Sequence, residues 1–218
     1  MLGATLGVKD YLDRVCREIG RIDHAQVEKV GQLLQDAYDA GRFVFIIGNG
    51  GSGANASHLS EDLAKCILRD FEDQKRLKVL SLTDNTAGIM AWANDEGYDR
   101  IFLEQLKNLA SPGDLLLAIS GSGNSPNILK AVEWANARGL TTVGFTGFGG
   151  GKLRSLAHHN VHAPIDDMGI VESLHQVVFH WLIDDMGIVE SLHQVAFHYI
   201  IDDLYRRISG PLTAAHAS

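Results

Sequence analysis

The sequence predicts an α/β protein: a three-layer α/β/α sandwich on a five-stranded parallel sheet of the flavodoxin-like kind, with N-terminal helices and a duplicated helical segment towards its C-terminal end. Three observations predict it. Short, nearly uninterrupted apolar runs at 43–47 and 115–119 have the character of strands covered on both faces. These runs alternate with segments of helical periodicity, which implies parallel strands joined by crossover helices. Two of the strands also run straight into loops rich in glycine and serine, at the strand ends where such sheets bind ligands.

Taken in order, residues 8–19 and 24–40 read as amphipathic helices. In the second, Val27, Val30, Leu33, Leu34 and Ala37 share a face, and Gly41 supplies the stop. Strand one, 43–47, enters Gly48-Asn49-Gly50-Gly51-Ser52-Gly53, and a helix is expected from about 54 to 67. Strand two is expected at 78–82, followed by helical stretches near 85–93 and 98–109. Ser111-Pro112-Gly113-Asp114 turns the chain into strand three, 115–119. That strand enters Ser120-Gly121-Ser122-Gly123-Asn124-Ser125, with Pro126 placed to open a helix at 126–138. Strand four at 141–145, a glycine-rich loop at 146–151, a short helix and strand five at 160–163 complete the sheet.

An 18-residue unit, 165–182, recurs at 183–200 with only Val178/Ala196, Trp181/Tyr199 and Leu182/Ile200 differing. At ~3.6 residues per turn the unit makes five whole turns, so both copies present the same stripe. One helix through both would be longer than a domain of this size covers. Short connections in α/β units favour docking of the first copy. Ile188, Val189, Leu192 and Val195 are then expected to need a partner, such as another subunit. The second copy read as a projecting arm would be an assembly device.

The 218 residues are expected to form a single domain over 1–218, with 45% hydrophobic and 21% charged residues as in ordinary globular chains. A net charge of −8 without a basic cluster argues against nucleic-acid binding. No uncharged apolar run reaches membrane-spanning length, and no signal peptide is read, so a cytoplasmic location is expected. Cys16 and Cys66 have no metal-type spacing and fit reduced thiols.

The two loops carry the chemistry. Glycine lets the backbone approach a ligand, helix-start N–H groups attract anions, and serine hydroxyls add donors. Neither loop has the Lys-Ser/Thr ending of a Walker A motif. The first fits G-x-G-x-x-G, but the acids about 20 residues on, Asp70, Glu72 and Asp73, lack strand character. A phosphorylated small molecule is therefore expected, with tight strand-to-helix turns as the plain alternative. Lys65, Lys130 and Lys152 are candidate cations for the phosphate. On the helix after the first loop, His58, Glu61 and Asp62 are spaced i, i+3, i+4, which suits metal ligands, an acid/base pair, or merely a charged face. In the repeat, Glu172, Gln176 and His180 follow at i, i+4, i+8 with His175 beside them, and Glu190, Gln194 and His198 echo them. A half-buried core histidine is the alternative there.

The chain resembles the sugar isomerase (SIS) domain family, most closely the phosphoheptose (sedoheptulose 7-phosphate) isomerases. The resemblance rests on Gly48 to Ser52, Ser57 to Leu63, Ala93-Asn94-Asp95, Ser120 to Ser125, Thr146-Gly147 with Gly150-Gly151-Lys152, and Glu172 to His180. It implies a homotetramer with active sites between subunits. Asn49, Gly50, Gly51, Ser52, Asp84, Ser120, Ser122, Ser125 and Glu172 would bind the sugar phosphate. It further implies aldose–ketose isomerisation through an enediol, with Asp62 as base, His180 as acid and Glu61 adjacent. A divalent metal such as zinc would be held by His58, Asp62, Glu172 and His180. Three positions depart from the family: Asp62 replaces a glutamate, Glu172 replaces a glutamine, and Gly121 stands where threonine is frequent. The family also contains non-catalytic members, including a regulator of replication initiation. A sugar-phosphate-binding or adaptor protein is thus the competing expectation.

Overall fold

The computed structural model describes residues 6–68, 70–182 and 195. The elements run α1 (Val8–Ile19), α2 (His24–Ala40), β1 (Phe43–Gly48), α3 (Gly50–Lys65), β2 (Lys78–Ser81), α4 (Thr86–Asp95), a 3-10 turn (Tyr98–Arg100), α5 (Ile101–Leu109), β3 (Leu115–Ser120), α6 (Pro126–Ala137), β4 (Thr141–Thr146), α7 (Leu153–Leu156), β5 (His159–His162) and α8 (Met168–Trp181). All strands are parallel, in the order β2-β1-β3-β4-β5. This is the flavodoxin-like order, and the direction in which successive strands are added reverses between β1 and β3.

Strands β1 and β3 have no polar face because both faces are covered. Val44, Ile46, Leu115, Leu117, Val143 and Phe145 pack against α1, α2, α3 and α8. Phe45, Ile47, Leu116 and Ala118 pack against α5, α6 and α7. Helix α2 has the expected limits because Asp23 caps its first turn and Gly41 ends it in a left-handed conformation.

Two expectations are corrected. Helix α3 begins at Gly50, not near 54, so the first glycine-rich loop is largely the opening turns of the helix. The reason is close packing: a Cβ at Gly48 would come within 2.4 Å of the Ser52 carbonyl oxygen, and one at Gly51 within 2.3 Å of the Glu172 carboxylate. Val195 is buried in the chain's own core, not left for a partner. The first repeat copy docks, as α8. Ile188, Val189, Leu192, Glu190, Gln194 and His198 lie outside the described residues. Among the described residues no helix is long and apolar enough to cross a membrane.

Candidate active site

Strands β1 and β3 are neighbours, with Gly48 opposite Ile119, so their loops emerge side by side. The loops are tied together across the switch point. Asn49 Nδ2 donates to Asn127 Oδ1 at 2.9 Å, and Asn127 Nδ2 donates back to Asn49 Oδ1 at 2.8 Å. The Tyr98 hydroxyl donates to the same Asn49 oxygen at 3.1 Å. Helices α3 and α6 both start here, from Asn49 and Ser125, and direct their unpaired N–H groups to this edge.

In the second loop Ser120 is buried, with its hydroxyl 3.4 Å from that of Ser125. Ser122 is exposed, and its Oγ accepts from the Asn124 amide at 3.3 Å. The glycines after β4 brace this loop. A Cβ at Gly151 would lie 2.5 Å from the Ser122 carbonyl oxygen, the Lys152 amide donates to Asn124 Oδ1, and the Leu153 amide donates to the Gly123 carbonyl. Gly121 has no room for a larger residue, because Met168 Sδ lies 2.5 Å from where its Cβ would be. Of the candidate cations, Lys130 is paired with Asp99 and Lys65 faces Glu61 at 3.9 Å.

Beside the first loop is a hollow of about 300 Å3 whose lining includes Asn49, Gly50, Ser57, Thr83 and Tyr98. Asp84 stands next to it, accepting from the Ser57 and Thr83 hydroxyls. Ser52 is buried at the start of α3. Sequence reasoning missed Tyr98, Thr83 and Asn127. Nothing in their local spacing marks them, since only the strand order brings them to Asn49.

Further along α3, where it packs on α8, His58 Nε2 lies 3.3 Å and His180 Nε2 lies 3.9 Å from Asp62 Oδ2. The three residues offer donor atoms all within 4.8 Å of one another. His180 is fully buried, at 4% exposure, where the half-buried histidine of the sequence reading was expected. Gln176 joins the cluster, its amide nitrogen 2.9 Å from His58 Nδ1 and 3.0 Å from His180 Nε2. The Cys66 thiol donates to Asp62 Oδ1 at 3.6 Å, and burial together with that carboxylate pushes its pKa up. Glu61 is exposed and turned to Lys65, outside the cluster. The Glu172 carboxylate lies against Gly51 at the start of α3, and Glu172 is not part of the three-residue group. His175, one face away, is wholly buried; its Nε2 is 3.3 Å from the Thr146 carbonyl oxygen. Burial lowers its pKa to about 4.

Two glycine- and serine-rich loops side by side at the switch point, and a cluster of two imidazoles and a carboxylate where α3 packs on α8, make up the candidate site of this α/β protein. Residues 9–147 match the SIS domain family, and the chain belongs to it. It is 37% identical over 156 residues to a phosphoheptose isomerase of Bradyrhizobium sp., covering 72% of this chain and 77% of that one. It is 33% identical over 175 residues to a probable phosphoheptose isomerase of Thermoplasma acidophilum, covering 80% and 94%. The fold is similar to the solved phosphoheptose isomerase of Francisella tularensis, with a TM-score of 0.74, 28% identity and coverage of 81% of this chain and 94% of that one. The enzyme from Neisseria gonorrhoeae gives a TM-score of 0.73 at 26% identity, covering 81% and 92%.

Proposed function

We propose that the chain is an aldose–ketose isomerase that converts sedoheptulose 7-phosphate to D-glycero-D-manno-heptose 7-phosphate through an enediol. The observation that carries this reading is the His58–Asp62–His180 cluster, two members of which stand on α3, the helix whose N-terminus forms half of the anion cradle. Gly51 and His58 are about 10 Å apart along that helix, a span suited to a phosphate held at one end of an extended sugar and chemistry at the other.

Ser52, Ser120, Ser122 and Ser125, with the N–H groups of α3 and α6, receive the phosphate. Asn49 and Asp84, and Glu172 beside Gly51, receive sugar hydroxyls. The Asp62 carboxylate takes a proton from C1 of the ketose and returns one to C2, while His180 relays the proton that O1 gives up and O2 gains. Two imidazoles and a carboxylate fit a borderline divalent ion such as zinc, held by His58, Asp62 and His180. Such an ion supplies Lewis-acid polarisation of the substrate oxygens when bound. Soluble, cytoplasmic operation as a homotetramer goes with this reading. Helix α4 supports assembly, since none of its residues is buried although Met90, at 65% exposure, is among its apolar side chains.

The test is incubation of the purified chain with sedoheptulose 7-phosphate, with and without zinc. Aldose product is expected, and Asp62→Asn should lower kcat by roughly 10²- to 10⁴-fold. No aldose under either condition, or unchanged turnover in Asp62→Asn, overturns the proposal. Asp62, one methylene shorter than the family glutamate, favours a second reading as a binding module. That reading predicts thermal stabilisation by the sugar phosphate without turnover, lost in Ser120→Ala.

A further inference from the structure

Asn49 is the residue before α3, the position at which an asparagine side-chain oxygen folds back onto the N–H groups of a helix's first turn. Asp23, Asn85 and Asp167 do this for α2, α4 and α8, accepting from the amides of Ala25, Gly88 and Ile170. The Asn49 side chain makes no such bond. It is turned across the switch point, where Asn127 and Tyr98 hold it. Its Oδ1 accepts from Asn127 Nδ2 at 2.8 Å and from the Tyr98 hydroxyl at 3.1 Å, which uses both lone pairs of the carbonyl. Its Nδ2 spends one proton on Asn127 Oδ1, at 2.9 Å. Both holders are themselves fixed. Asn127 is 1% exposed, and its Oδ1 also accepts from the Ile128 amide at 3.0 Å. Tyr98 stands on the 3-10 turn after Gly97, and Asp99 of that turn pairs with Lys130 of α6. Ser125, the residue before α6, likewise makes no side-chain cap, and its hydroxyl faces that of Ser120.

We propose that Tyr98 and Asn127 are positioning residues for substrate binding: they hold the Asn49 carboxamide away from its own helix, so that it presents an N–H to the sugar phosphate and does not cap α3. The inference rests on the sugar-phosphate reading above and deepens it. Released from its holders, Asn49 is one side-chain rotation from accepting the amides of Gly51 or Ser52, the second and third positions of α3. Such an internal cap competes with a ligand for the same donors, and it does so without the entropic cost of bringing in a second molecule. With both lone pairs used, Asn49 offers a ligand only its second Nδ2 proton, so it selects an acceptor oxygen. The hollow lined by Asn49, Gly50 and Tyr98 receives that oxygen. Tyr98 and Asn127 come from either side of the switch point, so the arrangement forms only when β1 and β3 are neighbours.

The experiment measures the Kd of sedoheptulose 7-phosphate by calorimetric titration of the full chain, and kcat and KM separately, in a double-mutant cycle. Tyr98→Phe removes one hydroxyl and should raise Kd and KM by roughly 3- to 10-fold, the worth of one hydrogen bond. Its kcat should stay within about twofold of wild type, because the reacting groups lie further along α3. Asn127→Ala removes the reciprocal pair and should raise Kd at least as much. Tyr98→Phe, at an exposed residue, keeps the test decisive should Asn127→Ala fail to fold. In an Asn49→Ala background no carboxamide remains to be held, so adding Tyr98→Phe should change Kd by less than about twofold. Wild-type Kd in Tyr98→Phe, an equal loss in the Asn49→Ala background, a fall in kcat at constant Kd, or no binding by the wild type each overturn the proposal. An equal loss in both backgrounds would mean that Tyr98 touches the sugar itself. A chain that isomerises but ignores Tyr98 disproves only this assignment, and one that binds through the held Asn49 without turnover disproves only the isomerase reading.

Discussion

At Gly123 the backbone is left-handed, with φ at +65°, and a Cβ would come within 2.0 Å of the Gly150 carbonyl oxygen. The serine loop therefore keeps its shape only while Gly123 lacks a side chain. Gly123→Ala is expected to cost roughly 1–3 kcal/mol and to weaken binding of the sugar phosphate, measured by denaturant unfolding and by calorimetric titration. Unchanged values in both would show that the glycine wall after β4 does not shape the cradle. His175 is a second residue with a measurable signature. Burial holds its pKa down near 4 from an ordinary 6.5, so folding favours its neutral form. Its contribution is complete above pH 6.5 and is lost as pH falls towards 4, a decline on the order of 3 kcal/mol. Unfolding free energies of wild type and His175→Gln measured at pH 7.5 and 5 should converge at the lower pH, and parallel losses would contradict this. Spacing alone could not separate His175 from His180, because both fall on the buried side of α8. Packing separates them: one meets Phe145 and a carbonyl, the other meets Asp62, His58 and Gln176.

The pairing of α3 with α8 brings the cluster together, and it depends on apolar contacts beneath the polar residues. Leu59 on α3 and Leu174 and Phe179 on α8 are fully buried in one core. Leu59→Ala should cost about 2–5 kcal/mol and lower kcat more than it raises KM, because it loosens the acid–base pair and leaves the phosphate cradle in place. An equal effect on both parameters would mean that the packing positions the whole site. Much at this scale was legible in the sequence. Helix α2 was, because its apolar residues recur at helical spacing and Gly41 marks its end, and so were β1 and β3, because doubly covered strands have no polar alternation. The start of α3 was not, because four glycines within 48–53 read as a loop, whereas Gly50, Gly51 and Gly53 belong to the helix, with Glu172 packed close against Gly51. Gln176 was visible at its i+4 spacing, but only the docking of α8 on α3 shows what its amide faces.

For the whole molecule, the strand order decides whether the two glycine-rich motifs are one site or two. With β1 beside β3 they form a single edge, joined by the Asn49–Asn127 amide pair. The alternation of strands and helices implied parallel pairing, but neighbour order is a property of the folded sheet that no local pattern records. Sedimentation should find a tetramer, with deletion of 183–200 changing subunit number if the second repeat copy is an assembly device. A monomer at micromolar concentration would remove the shared-site expectation. The central claim is that this edge and the His58–Asp62–His180 cluster act on one sugar phosphate. Running the reaction in deuterium oxide and reading the sugar by NMR tests it most directly. Deuterium should enter at C2 of the aldose product, fall sharply in Asp62→Asn, and fall through weaker binding in Ser120→Ala. Product formed without deuterium in wild type and with unchanged turnover in Asp62→Asn would point to direct hydride transfer, and failure to form product would contradict the account.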